Sequence, residues 1–273
     1  MRHLTWITAL ASLLVGACRS SAGSAPVAGL ATPEAAVAAY FRAGDEHRSR
    51  LVRAAFDPGT PIQWVDPDGT PRALTQIEWW PKLDGPGGGP AASRSQRTLD
   101  RSGDLALVEA VSRWDSHGFD DLLLVVRFPG AGWRIVGKVF VRLAPGESAA
   151  AADGDEPAIR AVLEQKIAAH AEYDPALLLA SHLPGCRYAH VDGTSVVLST
   201  LSEAGARYAA RRDAGETDHD SPWRILDVVV RGPIAAAKLD VKWQGRRHVD
   251  HLLLVRTAVG WKIAAAAWGP AES

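Results

Sequence analysis

Cysteine is almost missing from this chain. Only Cys18 and Cys186 occur in 273 residues, too few for a disulfide-stapled fold. Charge of one sign is also missing: 30 Lys and Arg stand against 31 Asp and Glu, a net charge of −1. Without a basic excess there is nothing to attract a phosphate backbone, so nucleic acid is not an expected partner. No apolar run is long enough to span a bilayer. The run from Leu4 to Ala17 falls short of the roughly 20 residues a spanning helix needs. Nucleophile elbow, phosphate loop and HExxH motif are all absent.

What is present begins at the amino terminus. Arg2 and His3 precede the uncharged run Leu4 to Ala17, the layout of a signal peptide. The run ends in Val15-Gly16-Ala17-Cys18, which resembles the lipobox of bacterial lipoproteins. That resemblance implies a diacylglyceryl group on the Cys18 thiol, removal of residues 1–17 and acylation of the new terminus. The lipid bilayer is then a partner, since each buried CH₂ adds about 0.8 kcal/mol to anchoring. Arg19, where an aspartate would signal inner-membrane retention, points to the outer membrane, facing the periplasm. Cys186 is left without an intramolecular partner. Residues 18–31, rich in Ser, Ala and Gly, read as a flexible tether.

The remainder repeats itself once. Glu46 to Gly59 matches Glu172 to Gly185, each an apolar helical run ending in Pro-Gly. Val65-Asp66 matches Val191-Asp192. Asp120-Asp121-Leu122-Leu123-Leu124-Val125 matches Asp250-His251-Leu252-Leu253-Leu254-Val255, and Gly132-Trp133-Arg134-Ile135 matches Gly260-Trp261-Lys262-Ile263. Four pairs in one order indicate duplication. The predicted domains are residues 32–143 and 157–270, with a linker over 144–156 marked by Pro, Gly, alanines and acids.

Within a copy, Thr32-Pro33-Glu34 predicts a capped helix start, and Arg48 to Ala55 a second short helix. Ile62 to Val65 predicts a strand, Asp66-Pro67-Asp68-Gly69 a turn, and Leu74 to Leu83 a third helix. Period-two alternation then begins: Ala237, Leu239, Val241 and Trp243 alternate with Lys238, Asp240 and Lys242. Helices followed by a run of strands is an α+β order. On the Pro-Gly stop, the acidic turn, the leucine-rich strands and the closing Gly-Trp-x-Ile, the chain resembles the NTF2-like superfamily, and within it the family named putative lumazine-binding. The resemblance implies two tandem cone-shaped domains, each with about three helices on a bent antiparallel sheet and an open mouth.

Fold alone does not name a function. Copy one offers Trp64, Asp66, Trp79, Trp80 and Trp114 as ligand-binding candidates, because indoles join apolar area to one N–H donor. Copy two offers His190 in the place of Trp64. His190 and Asp192 lie two apart on an expected strand and so share a face, the spacing of a general base beside a carboxylate. His170, Tyr173 and Trp243 are further candidates near the mouth. The bland readings are core tryptophans and a turn-forming aspartate. His248 and Asp250 share a face that His251 does not, and with Arg246 and Arg247 adjacent no metal site is expected. No cofactor is expected either.

The apolar row Leu105, Leu107 and Val111 lies opposite Ala106, Val108 and Ala110. Ala264, Ala266 and Trp268 similarly lie opposite Ile263, Ala265 and Ala267. Strands apolar on both faces must be covered on both. The expectation is that the domains pair sheet to sheet within the chain. Two functions remain: a non-catalytic small-molecule-binding or scaffold module, which is preferred, and an isomerase- or cyclase-like enzyme with its site in copy two.

Overall fold

The computed structural model describes residues 30–83, 89–243 and 245–271. Cys18, and the side chains of Trp80 and Trp243, lie outside the described residues.

The elements of the first half are α1 (Pro33–Glu46), α2 (Ser49–Ala55), β1 (Pro61–Val65), β2 (Pro71–Thr75), α3 (Gln76–Leu83), β3 (Ser93–Ser102), β4 (Leu105–Trp114), β5 (His117–Phe128) and β6 (Gly132–Leu143). The second half repeats them as α4 (Asp155–Ala171), α5 (Pro175–Ser181), β7 (His182–Val191), β8 (Val196–Thr200), α6 (Leu201–Asp213), β9 (Trp223–Arg231), β10 (Ile234–Trp243), β11 (Arg246–Thr257) and β12 (Gly260–Pro270). Each half forms a six-stranded sheet, ordered β2-β1-β6-β5-β4-β3 and β8-β7-β12-β11-β10-β9. These are two tandem α+β domains.

The sheets are mixed rather than wholly antiparallel: β1 runs parallel to β6, and β7 to β12. The third helix also begins later than the periodicity suggests. Thr75 and Thr200 end a strand and cap a helix at once. Thr75 accepts from the Glu78 N–H at 3.3 Å while Glu78 accepts the Thr75 N–H at 2.6 Å, and Thr200 and Glu203 make the same reciprocal pair. The capping box is what sets that boundary. Pro184-Gly185 does not stop the second helix of copy two. That helix ends at Ser181, and the pair lies inside β7 at a register shift, where a bulge leaves Pro without a ladder partner to lose.

Each sheet buries two faces. One face of sheet one packs on α1 and α2 through Val37, Tyr40, Phe56, Val108, Leu123 and Ile135. The matching face of sheet two packs on α4 and α5 through Ile159, Leu163, Leu178, Leu239, Leu252 and Ile263. The opposite faces share one apolar cluster, in which Leu105, Leu107, Leu122 and Leu124 meet Ile234, Leu253, Val255 and Ala265. Val111, half-buried, is not part of it. Polar groups cross the same seam: the Gln63 amide donates to the Ala264 carbonyl at 2.8 Å, and Asp100 accepts from Lys238 at 2.6 Å and from His251 at 2.8 Å. A Cβ on Gly137 would come within 2.7 Å of the Ala265 Cβ, so the seam needs glycine there.

Strict alternation fails in β12. A register shift between Ile263 and Ala265 turns Ala264 to the seam with Ala265 and Ala267, while Ile263, Ala266 and Trp268 face the helices. The bulge adds one residue and re-aims everything before it.

Candidate functional site

Strand pairing sets the correspondence between copies. Asp121 lies opposite Phe140 and Asp250 opposite Trp268, and those aromatics stand equally far into their strands (132 to 140, 260 to 268). Asp121 is therefore the counterpart of Asp250. The sequence match of Asp120 with Asp250 is one residue out of register, and one residue reverses the face. Helix ends agree on a second correspondence. His47 and Tyr173 leave α1 and α4 with φ of 50° and 44°, and Tyr40 and Lys166 each stand seven residues earlier (47 − 40, 173 − 166).

In domain 1, Asp121 receives two donors inside the cone. The Tyr40 hydroxyl donates to Oδ2 at 2.8 Å and Lys138 Nζ at 2.5 Å. Both charged side chains are almost fully buried. Desolvation pushes Tyr40 up and holds Lys138 below the ordinary lysine value. The partly buried Trp79 indole packs beside them, 5.9 Å from the Tyr40 ring centre and 6.1 Å from Phe56.

In domain 2 the same carboxylate is paired from a different element. Lys166, on α4, places Nζ 2.8 Å from Asp250 Oδ2 and 4.4 Å from the Trp223 ring centre. The counterparts of Lys138 and Trp79 are Ala266, which lies opposite Tyr188, and Ala204, which follows the Thr200/Glu203 cap. Two large side chains become alanine, and a cavity of about 370 Å³ is present, lined by both alanines and by Lys166 and Asp250. That volume is within the range of small-molecule sites.

Aromatic rings form much of its wall. His190 stacks on Trp268 at 5.0 Å and 13°, repeating the Trp64–Phe140 pair of domain 1 at 5.4 Å. His170 Nε2 lies 2.9 Å from Asp218 Oδ2 and Nδ1 3.0 Å from the Tyr208 hydroxyl. Desolvation, reinforced by the Lys166 charge, lowers the His170 pKa, and burial raises that of Tyr208. The chain therefore runs Tyr208 O–H to Nδ1 and Nε2–H to Asp218, both rings neutral. Tyr173 accepts from Arg211 at 2.6 Å at the cavity edge. The Tyr188 hydroxyl and the Trp223 N–H are buried in the wall without a hydrogen-bond partner among the described residues. Arg207 stands at the mouth, donating to the Ser199 hydroxyl at 3.1 Å.

The structure thus gathers His190, His170 and Tyr173 around one cavity. Asp192 is not with them, which corrects the expectation of a shared face. β7 ends at Val191, and the exposed Asp192 carboxylate caps the following turn, accepting from the Thr194 and Ser195 N–H groups at 2.9 and 2.7 Å. Those bonds hold its carboxyl well below the usual range. Of the copy-one candidates, Trp64 and Asp66 share one open groove, where Trp64 donates to Asp66 at 3.1 Å, while Trp79 packs against the core and Trp114 stacks on His117 at 4.9 Å. His248 and Asp250 line the cavity while His251 turns to the seam. Among the described residues no three His, Cys, Asp or Glu side chains gather as a metal site. Cys186 is buried beside the cavity helices, its thiol pushed up by desolvation.

Sequence reading missed Lys166, Tyr188, Tyr208 and Trp223. The signal for Lys166 was available: Ile159, Leu163 and Lys166 lie on one helical stripe, and a lysine there must find a buried partner.

Among curated proteins, none matches this chain. Solved structures resemble it over one domain. An NTF2-like protein of unknown function from Silicibacter pomeroyi is 21% identical, covering 41% of this chain and 92% of its own, with a TM-score of 0.38. A ketosteroid isomerase-like protein from Erwinia carotovora atroseptica is 15% identical (45% and 100% covered, TM-score 0.37). A protein from Streptomyces avermitilis described as a putative dehydratase of the NTF2-like family is 19% identical (44% and 99% covered, TM-score 0.37). The pattern of the family described as putative lumazine-binding matches residues 30–141 and again 154–269. With both halves matched, the chain belongs to the putative lumazine-binding family, in two tandem copies.

Proposed function

We propose that this protein is a non-catalytic small-molecule-binding module of the cell envelope, held to the outer membrane through acylated Cys18. Domain 2 receives a small apolar or aromatic ligand, and domain 1 acts as its scaffold, the two working as one body. The observation that carries this reading is that Ala204 and Ala266 stand where domain 1 has Trp79 and Lys138, and that both alanines line a cavity in domain 2. The aromatic lining favours a planar ligand. The family's description as lumazine-binding is compatible with it.

The purified full chain is expected to bind 1-aminoanthracene with a rise in dye fluorescence. Ala204→Trp, which restores the copy-one filling, should abolish the signal while the far-UV spectrum is kept. Unchanged dye binding in that variant would sink the reading. For the anchor, labelled palmitate fed to a Gram-negative host should appear on the wild type and not on Cys18→Ala.

One observation favours an enzymatic reading instead: the Tyr208–His170–Asp218 chain, which can pass a proton at neutral pH. Turnover of a 3-keto-Δ5 steroid by the wild type, lost in His170→Asn with dye binding retained, would establish it.

A further inference from the structure

The two copies solve one problem in two ways, and the difference describes a ligand. A buried carboxylate needs compensation on both charge and hydrogen bonds. Asp121 takes one cation, Lys138, and one neutral donor, the Tyr40 hydroxyl. Asp250 takes its cation from Lys166, which stands where Tyr40 does. Among the described residues no side chain has taken over the neutral donor. Asp250 is 4% exposed and lines the cavity, and among the described residues its carboxylate has one donor where Asp121 has two, both of them on Oδ2. Beside it the space of Trp79 is left by Ala204.

We propose that the domain 2 ligand is a fused-ring aromatic carrying a neutral N–H or O–H donor, which domain 1 imitates with the Trp79 ring and the Tyr40 hydroxyl. This rests on the cavity being a binding site. The ring takes the Trp79 space, and the donor gives the Asp250 carboxylate the second bond that Asp121 has. A cationic ligand does not fit as well, because Lys166 already neutralises Asp250 and a second buried positive charge must be desolvated without a partner. An aprotic ring of the same shape fits the walls and leaves Asp250 with Lys166 as its one donor among the described residues.

Isothermal titration calorimetry of the full chain with indole, 1-methylindole and tryptamine separates the possibilities. Indole is expected to bind at least about tenfold more tightly than 1-methylindole, the effect of one hydrogen bond to a charged acceptor. Tryptamine should bind more weakly than indole. The preference for indole should vanish in Asp250→Asn. Should that variant fail to fold, Lys166→Tyr combined with Ala266→Lys supplies Asp250 with both protein donors and should abolish the preference in the same way. Equal binding of indole and 1-methylindole, with both blocked by Ala204→Trp, would overturn the donor inference and leave the binding site standing. Tighter binding of tryptamine than indole would overturn it also. Failure of every probe would overturn the binding-site reading itself.

Discussion

Domain 1 and domain 2 share strand order, capping boxes and a buried acid at the same point of the sheet, yet Trp79 and Lys138 beside that acid in one are alanines bordering a cavity in the other. Duplication leaves one copy free to spend its interior on stability while the other keeps a cavity that costs packing contacts. The comparison teaches where to look: the positions that differ in volume between copies, and not those that agree, mark the site. Trp79 against Ala204 and Lys138 against Ala266 are such positions.

The comparison breaks most severely at the buried ion pair. Lys138→Met removes the cation and leaves the Asp121 carboxylate, 1% exposed, without charge compensation. A loss of about 3–5 kcal/mol is expected for domain 1, read as a lower urea midpoint of its unfolding transition. Emptying domain 1 comes next. Trp79→Ala removes the ring that packs on Tyr40 and Phe56 and should cost about 3 kcal/mol. The same variant should give domain 1 a dye-binding capacity that it lacks, measurable against an Ala204→Trp background.

Acid should then separate the domains. His182 stands where domain 1 has Phe56, and desolvation lowers its pKa from 6.5 to about 3. Its Nδ1–H donates to the Leu178 carbonyl at 2.8 Å, which suits the neutral ring. The folded pKa is below the unfolded one, so the unfolded state binds the extra proton. Stability is complete above pH 6.5 and is lost as pH falls towards 3, at about 1.4 kcal/mol per pH unit. By pH 5 domain 2 should have lost about 2 kcal/mol by this route, and His182→Phe should flatten the dependence in pH-resolved thermal melts. The smallest effect is expected at the seam. Gly137→Ala forces a methyl against Ala265 and should cost about 1–2 kcal/mol, with a larger radius of gyration in small-angle scattering if the sheets part.

Much of the fold was legible because it depends on local chemistry repeated twice. Helix starts followed from caps, strands from alternation, and the duplication from Gly-Trp-x-Ile and the leucine-rich runs. The third helix began late because Thr75 and Thr200 serve a strand and a cap together, and apolar periodicity does not register that change. Of the candidate site, His170, Tyr173 and His190 were found by residue type. Asp192 was misplaced because two residues share a face only while the strand continues, and it ends at Val191.

By itself the sequence determined two α+β copies, their order of elements, and the turn and capping chemistry that bounds them, since these depend on neighbours a few residues apart. Tertiary structure decided the rest. Only strand pairing showed that Asp121 corresponds to Asp250, because bulges and loop lengths shift the count by one. Only packing showed that a strand lysine in one copy and a helix lysine in the other answer the same carboxylate. A buried charge accepts its partner from whichever element can reach it, so the equivalence of Lys138 and Lys166 exists in space and in no alignment of the two halves.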